Sequence, residues 1–307
     1  MNVIISTLAT FWLLLALSFF LIKRGLWIFN DVAKGLSMFM LEKALGPATD
    51  FVSGRPGSSS STWIIHGLVW AFVASTLTFV GLWLNHDATA LHSFESWGYR
   101  PESSELIYSG RLTALFGAIG MLVVGTSLYS LPRLCGTHLA SESNATLVSL
   151  LWTLSVLLMF VGSQNAVIIG ITILPIANLL LTLATTALVI NMILTVSEAT
   201  QEIPFPGWLI VFAFIGNIVA VLAVFITGAF NEGVGQWLLF HLAGGTFFFC
   251  GVAGVSLYSV SIGSGNPLWS KSLVAFTLFG AFITINPMGS IDPVSYTHLT
   301  LPTKQDV

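Results

Sequence analysis

Long runs of apolar residues, separated by short polar stretches, divide the chain into segments of membrane-spanning length at about 3–22, 63–85, 110–131, 146–163, 168–194, 207–230, 235–258 and 272–288. A bilayer core about 30 Å thick takes about 20 helical residues to cross. The pattern therefore predicts an all-α polytopic membrane protein of about eight transmembrane helices. Between the first two spans the pattern changes: Leu26, Phe29, Leu36, Phe39 and Met40 recur near helical spacing among Lys34, Glu42 and Lys43, as in a helix lying in the interface. The run RPGSSSS, residues 55 to 61, then reads as a flexible linker. Residues 1–62 are thus expected to form an anchor helix, an interfacial helix and a Gly/Ser linker, with span one an appendage, and residues 63–293 to form the body of the bundle.

Composition agrees with the pattern. With 55% hydrophobic and 7% charged residues, and a mean hydropathy of +0.90, the chain is far from a soluble domain, in which about 25% of residues are charged. The net charge of −3 and the lack of a basic cluster exclude a nucleic-acid partner and leave the membrane as the expected one. Cys135 and Cys250 form no spacing motif. The first span is long for a signal-peptide core and is followed by Lys23-Arg24 rather than a small-residue cleavage site, so it reads as a retained anchor.

Basic residues set the orientation. Lys23, Arg24, Lys34, Lys43, Arg55, Arg133 and Lys271 fall on one side of the spans, against Arg100 and Arg111 on the other. The side with seven is expected to face the cytoplasm. The amino terminus is then outside and the 86–109 loop external. His86 and His92 in that loop stand among carboxylates, where a metal site competes with a solvated loop.

Inside the spans, Arg111 at an outer end is the one charged residue, which argues against an ion-coupled transporter. Asn178, Asn191 and Asn217 read as interhelical glue, and Pro175 as a kink within span five. His66 is placed in the first turn of span two, within reach of water. His241 is different. It lies roughly 9 Å in from Gly235, too deep for an imidazole to reach water easily, beside the small residues Ala243, Gly244, Gly245, Gly251, Ala253 and Gly254. Either it ligates a metal or haem-pocket group, or it hydrogen-bonds a neighbouring helix.

Four stretches, in order, resemble subunit I of the haem–copper oxidases, closest to the cbb-type cytochrome c oxidases and the nitric oxide reductases. YSGRLTALFGAIGMLVVGTSLYSLPRL, residues 108 to 134, is similar to the family's second helix, with a small-residue spine and a Tyr and an Arg at its exit. The helix pair over 168–230 follows. GQWLLFHLAGG from Gly235 is similar to the opening of helix six, and NPLWSKSLVAF at 266–276 to the approach to helix seven. Seven of the spans, two to eight, would be the family's first seven helices.

The resemblance implies haem and copper as cofactors, respiratory oxygen reduction with electrons from cytochrome c or quinol, other respiratory-complex subunits as partners, and the prokaryotic cytoplasmic membrane as location. His241 matches the family's helix-six copper ligand. Phe116 stands where the family has the low-spin haem histidine, after Arg111-Leu112-Thr113-Ala114-Leu115, and phenylalanine offers iron no lone pair. The paired copper histidines should fall near Ile291 and Asp292, and the redox tyrosine near Ile285. One imidazole cannot hold copper against water. After Pro293 the text loses hydropathic continuity, and 294–307 reads as a non-native tail of a truncated chain. Three readings follow: an oxidase catalytic subunit, a degenerate paralogue serving as a structural or assembly subunit, or a small-molecule channel or permease.

Overall fold

A computed structural model of the protein describes residues 2–39, 54–97, 101–163, 167–168, 171–229, 231, 233–266 and 270–285. Among them, seven helices are long and apolar enough to cross a membrane, which gives the chain the character of an integral membrane protein. In chain order these are α1 (Asn2–Phe39), α2 (Ser58–His86), α3 (Ser103–Cys135), α4 (Glu142–Gly162), α5 (Ile173–Ser197), α6 (Phe205–Ile226) and α7 (235–264). The described part of the eighth expected span is a helix, α8, Lys271–Ile285, whose 15 residues fall short of a crossing. The strands β1 (Val167–Ile168) and β2 (Ile171–Thr172) pair antiparallel before α5. Residues 291, 292 and 294–307 lie outside the described residues, as does the side chain of Ile285.

The helices fall into two compact units, Met1–Asn30 with Glu202–Val307, and Asp31–Gln201. In the second unit α2 and α3 run antiparallel and close together, because each presents small residues to the other. On α2 these are Gly67, Ala74 and Gly81, seven apart; on α3 they are Gly110, Gly117 and Gly125. A Cβ on Gly81 would sit 2.8 Å from Ile107, one on Gly117 2.8 Å from Trp70, and one on Gly125 2.9 Å from Ile64. Only glycine permits this approach, the small-residue packing of membrane helices. Hydroxyls then bridge the pair, Ser60 donating to the Gly125 carbonyl and Ser103 to the Gly81 carbonyl, each at 2.7 Å. The small-residue spine expected within 108–134 is this face.

Three local expectations change. The Gly/Ser run is no flexible linker: Gly57 takes a left-handed φ of 81° as the N-cap, Ser58–Ser61 form the first turn of α2, and Ser59 and Ser60 are buried. Pro175 does not kink a span, because α5 begins at Ile173 and the proline sits in the first turn, where its missing N–H has no intrahelical acceptor to lose. Lys23 and Arg24, good helix formers, do not end α1, which continues unbroken to Phe39. Asn191 does act as glue, its amide gripping the backbone of Ser141 from both sides at 3.2 and 2.8 Å.

In the first unit α1 is no appendage but lies antiparallel along α6. Thr7 shares a 2.7 Å hydrogen bond with Thr227 just past one end of α6, and Phe19 packs on Trp208 and Phe212 toward the other, with ring centroids 5.4 and 5.5 Å away. Gly216 of α6 meets Thr246 of α7, and Gly254 of α7 meets Pro206 and Ile210 of α6, where an added Cβ would lie 2.8 Å from each. Of the small residues around His241, Gly254 therefore serves close packing, whereas a Cβ on Gly244 would meet nothing.

Candidate functional site

Phe116 and His241 both lie on π-helical turns. In α3 the segment Thr113–Ile119 is π-wound, and in α7 the segment Phe240–Gly244. Such turns insert a residue into an α-helix and occur often at functional positions. The sequence favours the first one locally. Thr113 Oγ1 donates back to the carbonyls of Ser109 and Gly110 at 2.9 and 3.1 Å, competing with the regular ladder, and Gly120 N–H donates to the Leu115 carbonyl, five residues back.

Phe116 sits in the middle of this turn, half-buried. Its carbonyl accepts from the indole N–H of Trp152 on α4 at 2.9 Å. Trp152 is buried and packs edge-to-face on Trp63 with ring centroids 5.4 Å apart; Trp63 in turn donates to the Ala145 carbonyl at 2.8 Å. Two indoles thus join α2, α3 and α4 through bonds that no water competes for.

His241, half-buried, donates its Nδ1–H to the carbonyl of Trp237, one turn earlier in the same helix, at 2.8 Å, and its ring stands 4.6 Å from that of Trp237. A carbonyl can only accept, so Nδ1 carries a proton, and in the neutral ring the lone pair is then on Nε2. Metal-ligating histidines are held in their tautomer by this kind of bond, and it equally satisfies the ring as a structural group. Leu238 and Leu242 beside it are fully buried.

His66 is not in the first turn of its helix. Because α2 starts at Ser58, His66 is eight residues, roughly 12 Å, into the helix. Its Nδ1 lies 3.2 Å from Thr153 Oγ1 of α4, which also donates to Met121 Sδ of α3 at 3.9 Å. The available signal was the uncharged Ser-rich run itself, which a glycine N-cap converts into a helix start.

Between α2 and α3, Asp87 directs its carboxylate at Thr89, accepting from the backbone N–H at 2.9 Å and the hydroxyl at 2.7 Å. The Thr89 hydroxyl first, then its N–H and the nearby His86 and His92, hold the Asp87 carboxyl below the usual range. Cys135 and Cys250 are buried free thiols. Among the described residues no group of three His, Cys, Asp or Glu side chains could hold a metal ion.

The donor set can be tested against a haem–copper centre on its chemistry. Phe116 has no atom that ligates iron, and His241 supplies one neutral nitrogen where a copper ion needs more. The described residues therefore do not fit the group, and Ile291 and Asp292 lie outside them. No protein-family model, no curated protein and no solved structure matches this chain.

Proposed function

We propose that the chain is a membrane subunit built on the plan of haem–copper oxidase subunit I that serves a respiratory complex as a structural or assembly subunit rather than as the site of oxygen reduction. The observation that supports this is the use made of Phe116. Its side chain cannot ligate iron, and its carbonyl is tied to Trp152, so the π turn at the expected haem position is spent on helix packing. The orientation proposed with it puts the amino terminus outside the prokaryotic cytoplasmic membrane, from the excess of basic residues on the other side. Cytochrome c or quinol then delivers electrons to the complex and not to this chain.

A second reading, that the chain is itself the catalytic subunit, is favoured by His241, whose Nδ1–H bond to the Trp237 carbonyl is of the kind that holds a metal-ligating imidazole. Spectroscopy and metal analysis separate the two. The purified chain is expected to show no six-coordinate low-spin haem band and no stoichiometric copper. A low-spin band surviving purification would mean that another residue supplies the axial ligand, and would restore the catalytic reading.

A further inference from the structure

We propose that Arg133, stacked on Tyr129 at the end of α3, binds the phosphate of an anionic phospholipid whose acyl chain lies along the same face of that helix. An arginine in the last turn of a helix commonly spends its N–H groups on the final carbonyls. Here those carbonyls are already taken. Gln201 Nε2 donates to the carbonyls of Leu134 and Arg133 at 2.9 and 3.3 Å, Thr200 N–H to that of Cys135 and Thr137 N–H to that of Pro132, each at 3.0 Å. The guanidinium turns back along its own helix instead. It lies over the Tyr129 ring, 3.5 Å from the centroid, and Nη1 donates to the Tyr129 carbonyl at 2.8 Å. The stack fixes the plane of the guanidinium, and one N–H is used, which leaves the rest of the fork without a protein acceptor among the described residues. Both side chains are exposed, and no described carboxylate pairs with the arginine.

The face below the arginine selects the occupant. Ile119, Leu122, Thr126, Tyr129 and Arg133 recur at helical spacing on one side of α3, and none of them is buried. Thr126 turns its hydroxyl back to the carbonyls of Leu122 and Val123 at 2.6 and 3.2 Å, so the face is apolar as far as the Tyr129 ring. From Ile119 to Tyr129 the helix rises roughly 15 Å, the hydrocarbon depth of one leaflet, half of a core of about 30 Å. Arg133 comes one turn later, roughly 6 Å farther along, which is the level of the headgroups. A tyrosine at the boundary and a cation just beyond it follow the order of a membrane interface. The guanidinium fork matches two oxygens of a phosphate. A free phosphate or an acidic peptide would meet the charge and leave the apolar track unused, whereas a phospholipid meets both. A zwitterionic headgroup adds a cation for which no carboxylate stands beside Arg133, and an anionic one does not.

The test reads lipid retention by native mass spectrometry on the full chain, purified in a mild detergent and supplied with equal amounts of phosphatidylglycerol and phosphatidylcholine. Beside it stand Arg133→Gln, which removes the charge, and Arg55→Gln, which removes an exposed arginine elsewhere in the same unit. The unmodified protein and Arg55→Gln are expected to retain phosphatidylglycerol several-fold over phosphatidylcholine, and Arg133→Gln to lose that preference while keeping its helical circular dichroism. An unchanged preference in Arg133→Gln, or an equal loss in both variants, would overturn the proposal. Two readings need no variant. Equal retention of the two lipids by the unmodified protein rejects the site, and so does release of the bound phosphatidylglycerol by a tenfold excess of inorganic phosphate or of a polyglutamate peptide, because the apolar track then contributes nothing.

Discussion

The carboxylate of Glu142, in the first turn of α4, caps a helix to which it does not belong: it accepts from the backbone N–H and the hydroxyl of Ser59, and from Gly57 N–H at 2.8 Å. The first N–H groups of α2 have no intrahelical acceptor, and the negative charge sits at the positive ends of two helices at once. Removing it should therefore cost more than an ordinary surface carboxylate. Glu142→Ala is expected to destabilise the protein by about 1–2 kcal/mol, the upper part of the range for a lost N-cap, and Glu142→Gln by less, since the amide oxygen still accepts. Equilibrium unfolding in mixed micelles reads both; a Glu142→Ala variant as stable as the parent would remove the cap from the account.

Trp152 holds the π turn through one hydrogen bond to the Phe116 carbonyl. Trp152→Phe keeps most of the aromatic bulk and deletes the donor, so the bond between α3 and α4 is lost. The expected cost is about 0.5–1.5 kcal/mol, the net worth of an intramolecular hydrogen bond, together with faster hydrogen exchange in 113–120. Exchange rates that stay at parental values would show that the turn is held by other contacts.

Hydropathy made the bundle legible, and the small-residue spine of α3 could be read because glycine in an apolar helix has few uses besides close approach. What it could not place was where helices start. Serine and glycine are as common in linkers as at helix N-termini, so the run at 55–61 looked flexible until Glu142, some eighty residues on, supplied the acceptor that orders it. The same error put His66 in the first turn of its helix. Pro175 was misread because β1 and β2 take up the residues before it, an arrangement with no hydropathic signature. The π turns were invisible for a different reason: one inserted residue in a uniformly apolar helix leaves the composition of the run unchanged.

Asp87 offers a pH-dependent local structure. Its carboxyl is depressed chiefly by the Thr89 hydroxyl, with Thr89 N–H assisting. A group depressed in the folded state stabilises it above its unfolded value and loses that contribution as pH falls through the folded one. The turn after α2 is thus expected to be intact at neutral pH and to loosen only below the ordinary aspartate range. Carboxyl chemical shifts should show Asp87 titrating low and returning toward its usual value in Thr89→Val; a normal titration in the parent would refute the Thr89 contact.

The proposed orientation can be read by labelling, and the fold decides which positions to use. Ser59 is buried under Glu142, but Ser61 and Ser93 are exposed. With Cys135 and Cys250 replaced, an impermeant maleimide applied to intact cells should label a cysteine at Ser93 and spare one at Ser61. Labelling of the Ser61 position alone would reverse the topology.

His241 distinguishes a structural ring from a ligand by which of its nitrogens matters. Nδ1 donates to the Trp237 carbonyl, and an asparagine amide nitrogen overlies Nδ1, whereas the glutamine amide reaches toward the place of Nε2. If the ring is structural, His241→Asn should stay near parental stability and His241→Gln should lose about 1 kcal/mol, the scale of a polar contact within a membrane bundle. Copper content should stay near zero in all three proteins, because a lone imidazole cannot retain the ion. A metal site makes the opposite demand on the ring: Nε2 would be the ligand, Nδ1 its support, and both substitutions would empty the site. Stoichiometric copper in the unmodified protein, lost equally in His241→Asn and His241→Gln, would therefore end the scaffold reading and make His241 a metal ligand.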